Sequence, residues 1–278
     1  MAAPKANDVA DILSYGEVSV DGGTLPIWMA GEGAPVILLH GWTLDHRMWT
    51  PQIAGLAPDH FLVMPDRRGC GRASAPSDLM READDVVAIA DFLGFDRFAL
   101  VGLSRGAVVA LDVARRFGSR LTGLVVSGAP LPALVAREEV IDLDRLRLLA
   151  ASGDLATLRE EWAQHPLMHT HTPEAAALMA AILADYDGRD LLVPGQTPGF
   201  PREVLAMLAM PVLAMTGEHD TPWRRACAAA LAAVAPRARH AEISRAGHLA
   251  NADNPDGFNA AVAHFLRACA HPQTRLSA

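Results

Sequence analysis

Ser104 lies in the pentapeptide Gly102-Leu103-Ser104-Arg105-Gly106, directly after an apolar run ending at Val101 and directly before a helical pattern over Ala107 to Phe117. A serine squeezed into a sharp strand-to-helix turn is held in strained backbone geometry, and glycine two residues to either side avoids a clash with the folded chain. The strain projects the hydroxyl, and the helix N-terminus behind it favours developing negative charge. The chemistry such a group could do is nucleophilic attack on a carbonyl. A hydroxyl is a poor nucleophile until a base removes its proton, so a histidine oriented by a carboxylate is needed within reach.

With this kind of turn the acid and the histidine follow the nucleophile in the chain, in that order. Asp220, in Gly217-Glu218-His219-Asp220, follows the apolar run Pro211 to Met215, at the end of a strand where open α/β sheets collect functional groups. Its rival is Glu218 in the same loop. An acid placed after the run ending at Val126 is excluded, because Ser127-Gly128-Ala129-Pro130 holds no carboxylate. Among 11 histidines, His248 in Ala246-Gly247-His248-Leu249 stands out, because it follows the last short strand and precedes the final helix. The catalytic residues expected are therefore Ser104, Asp220 and His248.

Attack on a carbonyl also needs donors aimed at the developing oxyanion, and backbone amides supply them without reorganisation. One is expected from Arg105, the residue after the nucleophile. The second is expected from Trp42 in His40-Gly41-Trp42, with Gly41 permitting the tight turn. Cys70, between Gly69 and Gly71, is a weaker nucleophile candidate than Ser104 because its context is poorer. His165, His169 and His171 lack helical ligand spacing, and Pro166 and Pro173 break the geometry, so no metal site is expected.

The elements that must position these residues alternate in type. Val36 to Leu39, Phe61 to Met64, Phe98 to Val101 and Leu124 to Val126 read as strands apolar on both faces, as a covered parallel sheet requires. Asp84 to Leu93 and Ala107 to Phe117 have helical periodicity, and Gly94 and Gly118 stand where helix caps of positive φ are expected. From Pro130 to about Ala209 the strand signal gives way to an Ala- and Leu-rich helical segment broken by prolines, among them Pro132, Pro166, Pro194 and Pro201. Alternation then resumes with the strand Pro211 to Met215, a helix over Arg224 to Val234, a short strand near Ala241 to Ile243 and a closing helix from Pro255 to Ala268. The expected class is α/β, a mostly parallel twisted sheet of about eight strands with helices on both faces. The core is expected over 1–129 and 210–278 and a helical cap over 130–209.

Bulk properties narrow the partners. With 24 Lys plus Arg against 32 Asp plus Glu, the formal charge of −8 repels nucleic acid and anionic membrane surfaces. Met1 to Tyr15 does not read as a secretory signal, and no run reaches the roughly 18 apolar residues of a spanning helix. The 3 cysteines, Cys70, Cys227 and Cys269, are an odd number without Cys-x-x-Cys, which fits free thiols in a reducing compartment. A cytoplasmic protein, monomeric or homodimeric, acting on a small molecule is expected.

Four motifs together give a family resemblance. They are His40-Gly41-Trp42, the segment Asp66 to Ser74, the elbow at Ser104, and Gly247-His248-Leu249 followed by Asn254-Pro255 and Phe258. In these the chain resembles α/β-hydrolase fold enzymes from about Glu17 to Leu266. Gly41 to Trp49 is most similar to 3-oxoadipate enol-lactonases and related small esterases, which implies cofactor-free hydrolysis of a small ester or lactone. The chain departs from that group at Arg105, where an apolar residue is usual; this arginine would pair either with a substrate carboxylate or with a nearby acid. Ser104 disfavours the haloalkane dehalogenase and epoxide hydrolase chemistries, which use aspartate at this position, while perhydrolases share the serine triad. Carbon–carbon bond hydrolases, triad-based lyases and non-catalytic ligand receptors of the same fold are the alternatives. For the pocket, Trp42, Trp162, Met168, Met179 and Leu249 are the expected lining, with Leu178 and Ile182 as further candidates.

Overall fold

A computed structural model describes residues 13–193 and 195–270; Pro194 lies outside the described residues. The sheet has eight strands in the order β1-β2-β4-β3-β5-β6-β7-β8. They are β1 (Ser14–Val20), β2 (Gly23–Ala30), β3 (Ala34–Leu39), β4 (His60–Pro65), β5 (Phe98–Leu103), β6 (Leu121–Ser127), β7 (Val212–Gly217) and β8 (Ala238–Ile243). β1 pairs with β2 and β2 with β4 antiparallel, and every other pairing is parallel. The α/β class and the mostly parallel eight-stranded sheet expected from the sequence are those observed.

The central strands are buried from end to end because helices cover both faces. β5 is buried at all six positions, Phe98 to Leu103, so both faces must be apolar and the run is continuous rather than alternating. One apolar layer joins Ile37, Leu39, Leu100 and Val126 to α2 (Glu82–Phe92), α3 (Arg105–Phe117) and α8 (Pro222–Val234). The other joins Leu38, Val101 and Val125 to α1 (Thr50–Leu56), the short α9 (Ala250–Asp253) and α10 (Pro255–Ala270), and it continues into helices between β6 and β7. Those reached by this layer are α4 (Leu143–Ser152), α5 (Leu155–Ala163) and α6 (Pro173–Ala184), with short 3-10 turns at Pro166–Met168 and Arg189–Leu192, whereas Leu205 of α7 (Arg202–Ala206) packs into the first layer. No described helix is long and apolar enough to cross a membrane.

Two local expectations need correction. Gly94 does close α2 with φ +73, but Gly118 has an ordinary right-handed φ of −57. A Cβ there would meet only the Met210 methyl, at 2.7 Å, the movable end of a flexible side chain, so the fold does not demand glycine at this position. In the loop after β3, where Gly41 was expected to permit a tight turn, the residue that takes up positive φ is Thr43 (φ +63). Thr43 is held there because its hydroxyl donates to the Trp42 carbonyl (2.6 Å) and accepts from Trp162 Nε1 (2.8 Å).

Candidate active site

The turn from β5 into α3 puts Ser104 at φ +54, ψ −112, a conformation that costs a non-glycine residue on the order of 1–3 kcal/mol. The surroundings over-determine it. The Ser104 amide donates to the Ser127 carbonyl at 2.8 Å, while the Ser104 carbonyl accepts from Ala107 and Val108. The flanking glycines are a steric necessity, since a Cβ at Gly102 would collide with the Gly106 carbonyl and one at Gly106 with the Leu39 carbonyl.

Asp220 and His248 arrive on two other loops, after β7 and β8. His248 Nδ1 is 3.0 and 3.1 Å from the two carboxylate oxygens of Asp220, and both side chains are almost wholly buried. The Thr221 amide donates to Asp220 Oδ1 at 2.7 Å, fixing the carboxylate. Gly128 (φ +57) packs against this pair so closely that a Cβ would lie 2.7 Å from His248 Cε1. His248 Nε2 is buried and has no hydrogen-bond partner among the described residues. Glu218, the rival acid, instead accepts from the Arg245 backbone amide at 2.8 Å.

Ser104 and His248 line one cavity of about 330 Å³, together with Trp42, Leu103, Arg105, Trp162, Met168 and Leu249. Met179, Leu178 and Ile182, also expected in the pocket, do not line it: the buried face of α6 turns Met179 into the apolar layer, and Leu178 packs against that layer. Ile182 lines a second, polar cavity beside His46 and Asp66. Among the described residues, the cavity bearing Ser104 includes Arg105, Arg137 and Arg224 in its lining and no carboxylate.

The loop carrying Trp42 is braced from below. His40 Nε2 accepts from the Arg67 amide (3.0 Å), so Nδ1 carries the proton and donates to the Gly41 carbonyl (2.8 Å). Burial, reinforced by the Arg67 charge, pushes His40 down to about 3, so it is a neutral structural group. Arg67 also donates to the His40 and Gly41 carbonyls and pairs with Glu82 at 2.7 Å. Neither the Trp42 nor the Arg105 amide has an acceptor among the described residues, and Arg105 opens α3, where helix amides point outward unpaired. Burial pushes the Cys70 thiol up to about 12, which leaves it protonated and unreactive.

Two carboxylates from the helical insertion reach this site, and the sequence reading had no signal for either. Asp190 accepts from Trp42 Nε1 (2.6 Å), the Tyr186 hydroxyl (2.6 Å) and Arg105 Nη1 (3.3 Å). Glu139 pairs with Arg224 at 2.7 Å, and Arg224 in turn donates to the Gly128 carbonyl at 2.7 Å. Burial alone would raise Glu139, but the guanidinium overrides it and holds the carboxyl below its ordinary value. The three histidines of the insertion do not converge: His165 and His169 face the Val140 and Gln164 carbonyls, and His171 packs beside His219.

Residues 36–261 match the model of the alpha/beta hydrolase family. The chain belongs to that family. Among curated relatives, the putative carbamate hydrolase RutD of Azorhizobium caulinodans is 25% identical over 260 residues, covering 84% of this chain and 92% of its own. Carboxylesterase YbfK of Bacillus subtilis is 28% identical over 248 residues, 84% of this chain and 81% of its own. Among solved structures, the enol-lactonase of Burkholderia xenovorans superposes with a TM-score of 0.76 at 22% identity, over 91% of this hydrolase and 100% of that chain. At that identity the likeness is one of fold.

Proposed function

We propose that this hydrolase cleaves a small carboxylic ester or lactone through an acyl-enzyme formed on Ser104. One observation above all supports the reading: His248 offers a buried, unpartnered Nε2 in a cavity it shares with Ser104, while its Nδ1 is held by Asp220. In the first half-reaction His248 takes the Ser104 proton as the hydroxyl attacks the carbonyl carbon. The Trp42 and Arg105 amides hold the oxyanion, and His248 returns the proton to the departing alcohol. In the second half-reaction water, deprotonated by the same imidazole, releases the acid and regenerates the serine. Asp220 keeps the proton on Nδ1 and stabilises the imidazolium. No step draws on a cofactor.

The substrate enters between a core formed by 1–129 and 210–278 and a cap formed by 130–209, with Trp42, Trp162, Met168 and Leu249 supplying the apolar walls. The composition supports a cytoplasmic protein acting on a small molecule rather than on nucleic acid or a membrane. The curated names span carbamates and carboxylic esters, whose carbonyls this machinery would attack in the same way.

The test is Ser104→Ala measured on p-nitrophenyl acetate and butyrate. Turnover is expected to fall by roughly 10³-fold or more, and a fluorophosphonate is expected to label the parent at Ser104 alone. Full activity in the variant would refute the proposal. A carbon–carbon hydrolase or a lyase would leave simple esters untouched and form no acyl-enzyme adduct with them.

A further inference from the structure

Asp190 sits in the 3-10 turn Arg189–Leu192 of the insertion, with its side chain 2% exposed. Its carboxylate gathers both residues whose amides face the oxyanion in the proposed mechanism. Trp42 is tied through its indole and Arg105 through its guanidinium, and the guanidinium also lies 5.0 Å over the Trp42 ring. Tyr186 completes the set from the same insertion, and burial together with the Asp190 charge keeps its phenol protonated as the donor. The turn is itself fastened to the core, because Arg189 donates to the Gly71 and Ala73 carbonyls.

We infer that Asp190 is a positioning and specificity-determining residue, which orients the two oxyanion arms and cancels the Arg105 charge so that the cavity favours uncharged acyl groups. The inference rests on the reading of Ser104, Trp42 and Arg105 above. Its physical basis is a charge balance. Among the described residues the cavity lining holds three arginines and no acid. Arg224 is neutralised by Glu139, with both side chains buried. Arg137 stands exposed, its Nε donating to the Glu139 carbonyl and its guanidinium 5.8 Å over the Trp223 ring. Arg105 is the one beside the nucleophile, 31% exposed in its side chain, and its only ion-pair partner among the described residues is Asp190. In a water-poor cleft an unbalanced guanidinium would attract a substrate carboxylate strongly.

The test is Asp190→Asn, which keeps the shape and one acceptor but removes the charge. The two substrates are p-nitrophenyl hexanoate and the mono-p-nitrophenyl ester of adipic acid, which share acyl length and differ by one carboxylate. The kcat/KM ratio of the charged to the neutral ester is expected to rise about 10-fold or more in Asp190→Asn. For the neutral ester kcat is expected to fall about 10-fold with little change in KM, because the lost orientation acts in the transition state. In Asp190→Asn/Arg105→Gln the rise in ratio should vanish. A role in folding alone would lower both esters together. If Asp190→Asn leaves the ratio unchanged, or if the rise persists without Arg105, the inference is overturned while the esterase reading stands. If the parent hydrolyses neither ester and resists fluorophosphonate at Ser104, the reading itself fails and takes the inference with it.

Discussion

His248 Nδ1 faces both oxygens of Asp220, yet among the described residues only Oδ1 is otherwise engaged, accepting from the Thr221 amide. This asymmetry makes Asp220→Asn informative. The Thr221 amide selects the amide oxygen of Asn for the Oδ1 position, so the NH2 group is left facing Nδ1. Nδ1 then meets an NH2 donor at the 3.0 Å position and an acceptor at the 3.1 Å one, which favours the tautomer with its proton on Nε2, where it cannot serve as a base. Steady-state assays of Asp220→Asn are expected to show kcat reduced about 10³- to 10⁴-fold with a nearly unchanged melting temperature. A loss below tenfold would place the orienting acid elsewhere.

Gly128 tests the same pair from the other side. Alanine there would need φ +57 and would put its methyl 2.7 Å from His248 Cε1 and 2.9 Å from Nδ1. Since the imidazole is the movable partner, Gly128→Ala should tilt it away from the cavity. The expected result is kcat lowered about 10²-fold, with a lower melting temperature. Kinetics and thermal melts on one preparation separate the two effects.

The sheet and the three loops at its edge were legible in the sequence because each is written locally. Buried parallel strands are continuous apolar runs, and Gly102 answers a clash with Gly106 four residues on, although Gly106 itself answers one with the distant Leu39 carbonyl. The hairpin of β1 and β2 leaves a fainter mark, the Asp21-Gly22-Gly23 turn between a mostly exposed β1 and a mostly buried β2. Asp190 and Glu139 left none. Each is a lone acid in a proline-broken helical stretch, and its partner lies far along the chain: Trp42 is 148 residues from Asp190, and Arg224 is 85 from Glu139. Such pairings are decided by how the insertion packs, which periodicity does not encode. Met179 went astray for the same reason, because apolarity alone does not say which apolar space a helix face will fill.

The buried pair Glu139–Arg224 gives a stability prediction. Its two side chains are each 4% exposed, so removing one charge strands the other away from water. Glu139→Gln is expected to destabilise the fold by about 3 kcal/mol in denaturant titrations. The doubly substituted Glu139→Leu/Arg224→Met leaves no orphaned charge and should recover much of that loss. If the double variant is the weaker of the two, the pair contributes more attraction than its desolvation costs.

His40 supplies a prediction about pH. Its ordinary value of 6.5 falls to about 3 in the fold, so between these limits the unfolded chain binds a proton that the folded chain does not. With more protons on the unfolded side, stability rises with pH across this window and is lost as pH falls below about 6.5. Lowering the pH from 7 to 5 should therefore cost about 2 kcal/mol through this one group. His40→Gln keeps an acceptor for the Arg67 amide and a donor for the Gly41 carbonyl but cannot titrate. Unfolding free energies of the two proteins at pH 7 and pH 5 isolate the contribution, because the other histidines are common to both and cancel in the difference. A drop of equal size in parent and variant would mean that His40 titrates alike in the folded and unfolded states.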